Sequence, residues 1–162
     1  MLHQAHTVTS KGSAMTETTT LEEFQAKFRT EELLVYRNEA WTWSVRPAQP
    51  TLGAGILSLN RFALTLGEVT PDEMSLLSDV TRKIEAAVSQ TFDHQIMNYL
   101  ALMMVDHHVH YHVLPRYDGL REFAGLEWVD NGWPAFPVLS DAQHQDSDTA
   151  LSDIQKALGA AV

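Results

Sequence analysis

The chain has 162 residues, no Cys, 44% hydrophobic and 20% charged residues, and a formal net charge of −10 with histidines neutral. That length allows one domain with a substantial core, and the acidic balance without a Lys/Arg cluster excludes the basic face of a duplex-binding protein. The missing Cys excludes disulfides, thiol nucleophiles and cysteine zinc sites, and no apolar run has the length of a membrane span or the form of a signal-peptide core. The expected partner is a small anion rather than a nucleic-acid polymer or a membrane, and the expected compartment is the cytoplasm.

Residues 1–19 are rich in Thr and Ser without an apolar period and read as a disordered leader or expression remnant, with Met15 as a candidate natural start. Thr20-Leu21-Glu22-Glu23 is a capping box opening a short helix with Leu21, Phe24 and Phe28 on one face. Leu33 to Arg37 reads as a strand, Asn38-Glu39 as a turn, and Trp41 to Val45 as an alternating strand that Pro47 and Pro50 end. Gly53 to Leu59 is the next strand, its glycines allowing something to approach the backbone. Asn60-Arg61, at the end of that strand, offers a ribose or phosphate contact or an ordinary loop.

Thr70-Pro71-Asp72-Glu73 supplies an N-cap, a proline at the first helical position and a capping-box glutamate. Met74, Leu77, Val80, Ile84 and Val88 follow at helical spacing, predicting a long amphipathic helix across a sheet. Ile96 to Met104 and His107 to Leu114 read as adjacent strands, the second ended by Pro115. Beyond the Asp118-Gly119 turn, the stretch through Trp128, Trp133, Pro134 and Pro137 reads as irregular. Packing is favoured over base stacking for its tryptophans. Asp148 is the expected cap of a final helix with Leu151, Ile154 and Leu158 on one face and Gly159 as its stop. This order predicts an α+β domain: an antiparallel sheet of about five strands, a long helix across it and a C-terminal helix.

Four of the eight histidines fall in the six residues His107 to His112. His3, His6, His94 and His144 stand alone and read as ordinary surface or core residues. His108, His110 and His112 alternate with Val109 and Tyr111, so on a strand the three imidazoles share one face at intervals of about 7 Å. Asp106 shares that face and can orient a histidine; His107 faces the other way and reads as structural. Three imidazoles facing one way are costly to bury for stability alone. On a flat strand they diverge too far to reach one metal ion together, although two of them with a ligand from elsewhere could.

These residues resemble the signature of the histidine triad (HIT) family of nucleotide hydrolases and transferases. Alternating His and apolar residues run from His108 through Val113-Leu114, followed by Pro115-Arg116-Tyr117, an extension similar to the branch acting on dinucleoside polyphosphates. The likeness extends over residues 20–117, leaving 118–162 as a C-terminal extension. It implies that His110 is a nucleophile attacking the α-phosphate of a small nucleotide, with a covalent nucleotidyl intermediate. His112 would contact the phosphate or leaving group, and His108 would orient the cluster. Asn98 matches a position near phosphate or ribose, and Arg116 either clamps a phosphate oxygen or pairs with a surface carboxylate.

The resemblance further implies a homodimer and no required cofactor, with a divalent cation possible beside a polyphosphate substrate. Two departures stand out. The Gly-Gln-Ser or Gly-Gln-Thr segment that many relatives carry before the triad is replaced by Leu102-Met103-Met104-Val105-Asp106-His107, and the histidine on an earlier strand is missing from Thr51-Leu52-Gly53-Ala54-Gly55. Phosphate binding must therefore be built differently. A nucleotide-binding or sensing protein without turnover, and a metal-binding protein using two clustered histidines, are the alternative readings.

Overall fold

Alternating apolar residues and two well-capped helices generate the architecture seen in the computed structural model, which describes residues 16–162. The expected leader lies outside the described residues up to 15. Of its remainder, Thr18 is buried and bonded to the body of the protein.

Helix α1 (Leu21–Phe28) begins as its sequence predicts, with the Glu23 amide donating to the Thr20 hydroxyl. The reciprocal bond goes one residue further out, from the Thr19 amide to Glu23. Strands β1 (Leu34–Arg37), β2 (Trp41–Val45) and β3 (Gly55–Leu59) follow. Helix α2 (Pro71–Phe92) has Thr70 as N-cap and proline at its start. The Glu73 carboxylate, however, turns to Arg61 instead of completing a capping box.

Strands β4 (Ile96–Leu100) and β5 (His110–Arg116) are paired antiparallel, and the sheet order is β1-β2-β3-β5-β4. Pro115 does not end β5: it lies inside the strand opposite Met97. His108 precedes β5, so only His110 and His112 belong to the strand itself. A small hairpin, β6 (Arg121–Phe123) and β7 (Leu126–Trp128), occupies the stretch expected to be irregular. Its turn places Ala124 and Gly125 at φ 54 and 73, the double positive-φ geometry of tight hairpins. Alanine at the first of those positions hides the signal. The final helix α3 (Ala150–Ala160) runs through Gly159, and the Ser147 hydroxyl, not Asp148, accepts its first amides.

The sheet has two differently used faces. Trp41, Trp43, Val45, Leu57, Leu59, Val109 and Val113 point into the main core with Val80, Ile84 and Val88 of α2 and Ile154 and Leu158 of α3. Trp128 joins this core, whereas Trp133 is half-buried. The glycines of the third strand admit side chains of the protein itself: a Cβ on Gly55 would lie 2.8 Å from the Trp43 indole nitrogen. Against the opposite face lies α1, whose Phe24 and Phe28 cluster with Ile56. That second face carries the histidines.

Arg116 is buried, with Nε and Nη2 donating to the Asp130 carboxylate at 2.7 and 3.2 Å. It also donates to Asn98 Oδ1 and the Ala135 carbonyl. The carboxylate expected on the surface is in fact an interior one, and the four groups tie β4 and β5 to the C-terminal extension. Asp130→Ala should destabilise the protein by about 3–5 kcal/mol, because it strands a buried guanidinium. Denaturant unfolding measures this, and a loss below about 1 kcal/mol would contradict a structural role for the pair.

Candidate active site

His108, placed just before β5, has both ring nitrogens committed. Its Nδ1 accepts from the Ala63 amide at 3.3 Å and its Nε2 donates to the Leu59 carbonyl at 2.7 Å. Phe62 stacks on the ring, with centroids 5.5 Å apart. The backbone carbonyl of His108 then faces His110, whose Nδ1 donates to it at 2.6 Å. That bond fixes the His110 tautomer: with the proton on Nδ1, Nε2 keeps its lone pair.

His112 completes the chain. Its Nε2 lies 3.3 Å from His110 Nε2, and its Nδ1 faces Arg46 Nε at 3.4 Å. Because Arg46 can only donate, Nδ1 accepts and Nε2 carries the proton. Three neutral imidazoles therefore share one consistent set of donors and acceptors.

Burial keeps them neutral. It pushes the His108 and His110 pKa values below the ordinary imidazole value, and carries His112 down to about 3 with help from neighbouring His110 and Arg46. His108 and His110 have no exposed surface. Phe24 lies 5.0 Å from both rings, and Phe28 5.9 and 6.2 Å from His110 and His112, so α1 roofs the site.

His112 borders a cavity of about 570 Å³. Its apolar wall includes Phe28, Leu102, Met104, Val105 and Leu139; Lys27, Arg46 and Asp106 supply charge. Asp106 Oδ1 accepts from Lys27 Nζ at 2.7 Å and from the Thr18 hydroxyl at 2.9 Å. It thereby connects α1 and the chain before α1 to the triad segment. His107 turns instead to Glu17, its Nε2 2.6 Å from the Glu17 Oε1 atom.

The other candidate residues stand outside this cluster. Asn98 and Arg116 are bonded to each other and to the C-terminal extension, as described above. Asn60 accepts from Thr42 and donates to the Asn38 carbonyl, beside a separate polar pocket of about 260 Å³. Arg61 pairs with Glu73 and the Glu68 carbonyl.

Two residues at the cavity were not singled out in the sequence. Arg46 continues the even-numbered face of β2 after Thr42 and Ser44, and Lys27 shares the α1 face of Phe24 and Phe28. Strand alternation and helix spacing therefore carried both signals.

A depressed histidine pKa makes stability depend on pH with a definite sign. Below an unfolded value near 6.5 the unfolded chain binds protons that the native triad refuses. Stability is intact above that pH and falls as pH drops toward 3, by about 1.4 kcal/mol per pH unit for each extra proton bound by the unfolded state. Denaturant unfolding at stepped pH should show a shallower slope for His112→Gln than for wild type; equal slopes would contradict the buried neutral state.

No family model and no curated protein matches the chain. Solved structures do. A histidine triad protein from Bradyrhizobium japonicum superposes with a TM-score of 0.64 at 16% identity, covering 91% of this chain and 99% of that one. A hypothetical histidine triad nucleotide-binding protein from Sulfolobus tokodaii gives 0.60 at 16% identity, over 80% and 82%. A zinc-bound histidine triad family protein from Mycobacterium smegmatis gives 0.55 at 15% identity, over 79% and 84%. A five-stranded antiparallel sheet, a long helix across one face and clustered histidines on the other give this chain the α+β fold of the histidine triad proteins.

Proposed function

We propose that the protein hydrolyses a small adenylate at its α-phosphate through a nucleotidyl intermediate on His110. The observation that carries this reading is the 2.6 Å bond from His110 Nδ1 to the His108 carbonyl, which leaves the Nε2 lone pair on the histidine face. A neutral imidazole held this way is a competent nucleophile. As Nε2 bonds to phosphorus, the bond from phosphorus to the leaving oxygen or nitrogen breaks. The leaving group keeps that electron pair and takes a proton from water. The developing imidazolium stays bonded through Nδ1–H to the carbonyl, and His112 Nε2–H, released from the attacking nitrogen, donates to a phosphoryl or leaving-group oxygen.

Water then attacks phosphorus, the N–P bond breaks with its electron pair returning to Nε2, and the nucleoside monophosphate leaves. Because His110 is wholly covered by Phe24 and Phe28, α1 has to shift before phosphorus reaches Nε2. Dinucleoside polyphosphates and nucleoside phosphoramidates both present the required α-phosphate. The covalent step needs no cofactor, and a divalent cation would accompany only a polyphosphate. A cytoplasmic homodimer belongs to the same proposal, with β4 at the sheet edge leaving backbone groups for a second copy.

The covered nucleophile and the apolar Met104-Val105 segment favour a second reading, a nucleotide-binding protein that does not turn its ligand over. A metal site is weaker. The 3.3 Å between the two Nε2 atoms suits adjacent ligands on a tetrahedral zinc, which would be about 3.3 Å apart. Yet no group of three or more candidate ligands exists among the described residues, and the Arg46 cation sits at the back of His112.

Release of nucleoside monophosphate from a panel of adenylates, measured with and without chelator, tests the proposal. Wild-type turnover should fall at least about a thousandfold in His110→Ala while nucleotide affinity largely survives. Absence of turnover by folded wild type across the panel moves the reading to the binding protein; turnover that chelator abolishes moves it to the metal.

A further inference from the structure

Arg46 is a half-buried cation whose position stability alone does not account for. It leaves the end of β2, donates through Nη1 to the Ala48 carbonyl at 2.7 Å and through Nε to His112, and has no carboxylate within ion-pair distance among the described residues. The contrast with Arg116, which has Asp130 in bidentate contact, is direct. Burying an unpaired guanidinium is costly, so such a residue is expected where an anion will join it.

Its surroundings suit that role. Arg46 lines the 570 Å³ cavity with His112 and Lys27, and Lys27 shares its own carboxylate, Asp106, with the Thr18 hydroxyl. Two cations against one carboxylate leave a local excess of one positive charge in a chain of net charge −10. Besides these cations the wall offers only neutral donors, the hydroxyls of Thr16 and Ser140 among them, and Leu102, Met104 and Val105, in the segment just before the triad, offer no side-chain donor.

We propose that Arg46 and Lys27 form an oxyanion clamp that binds the phosphoryl group adjoining the one His110 attacks. Arg46 presents its guanidinium to one or two phosphoryl oxygens. Lys27 exchanges part of its contact with Asp106 for the ligand. Charge-assisted donors of this kind are the strong ones, and the forked guanidinium also orients what it holds. Arg46 has a second effect through His112: by keeping Nδ1 an acceptor it keeps the Nε2 proton aimed at the reacting centre. The clamp rests on the reading of this cavity as the nucleotide site, but it is testable without turnover.

The probe is inorganic pyrophosphate, titrated calorimetrically into the full-length protein at two salt concentrations, with thermal unfolding of each variant alongside. Wild type should bind, more weakly at higher salt. Arg46→Gln should weaken binding at least about tenfold, Lys27→Met by a smaller factor, and Arg46→Lys should fall between wild type and Arg46→Gln. Arg46→Gln should also unfold at or above the wild-type Tm, since it removes an unpaired half-buried charge. Wild type that does not bind pyrophosphate, Arg46→Gln that binds equally well, or an Arg46→Gln Tm well below wild type each overturns the clamp. A protein that binds pyrophosphate through Arg46 but releases no nucleoside monophosphate keeps the clamp and loses the hydrolase. Turnover undiminished in Arg46→Gln does the reverse.

Discussion

The donation from His110 Nδ1 to the His108 carbonyl is the constraint on which the site's chemistry depends. It is a bond between a side chain and the backbone two residues earlier, so it requires the chain to bring that carbonyl under the ring. His108 makes this possible by anchoring its own imidazole on both sides, to Leu59 at the end of β3 and to Ala63 in the loop beyond it. The tautomer of His110 is thus set by backbone on two strands, and that of His112 by Arg46. Each imidazole has a distinct role because each has a different partner for its second nitrogen.

Burial makes this arrangement consequential. In water three adjacent imidazoles would titrate near neutrality and exchange tautomers. Beneath Phe24 and Phe28 the charged form is disfavoured, most strongly for His112, where Arg46 adds repulsion. The same roof closes His110 off from solvent. An imidazole exposed to bulk water would share its lone pair with solvent; beneath the roof the His110 Nε2 lone pair faces the Nε2 proton of His112. Thr18, Asp106 and Lys27 provide the polar latch at the edge of that roof.

Much of this was legible in the residues. Period two from His108 to Val113 put the triad on one face and Val109 and Val113 in the core, and Thr70-Pro71 opened α2 as its cap chemistry requires. What escaped the sequence has identifiable physical causes. Pro115 remains in β5 because the strand continues through it, opposite Met97, where an interior proline would normally argue for an end. The β6–β7 hairpin is turned by Ala124-Gly125, lacking the Asn or Asp that usually marks such turns. Arg116 carried two readings in sequence, and only the long-range meeting with Asp130 distinguishes them. Arg46 and Lys27 were visible as positions on a strand face and a helix face, but their convergence on one cavity is a property of the fold.

The proposed covalent bond between His110 Nε2 and phosphorus is open to direct detection. Rapid acid-free quenching during turnover of an adenylate, followed by mass spectrometry of the intact chain and its peptides, addresses it directly. The expected result is a nucleotidyl adduct on His110, stable in base and labile in acid, with phosphorus NMR placing it on Nε2. Turnover with no adduct, or with the nucleotide on His112 or any other residue, would contradict it.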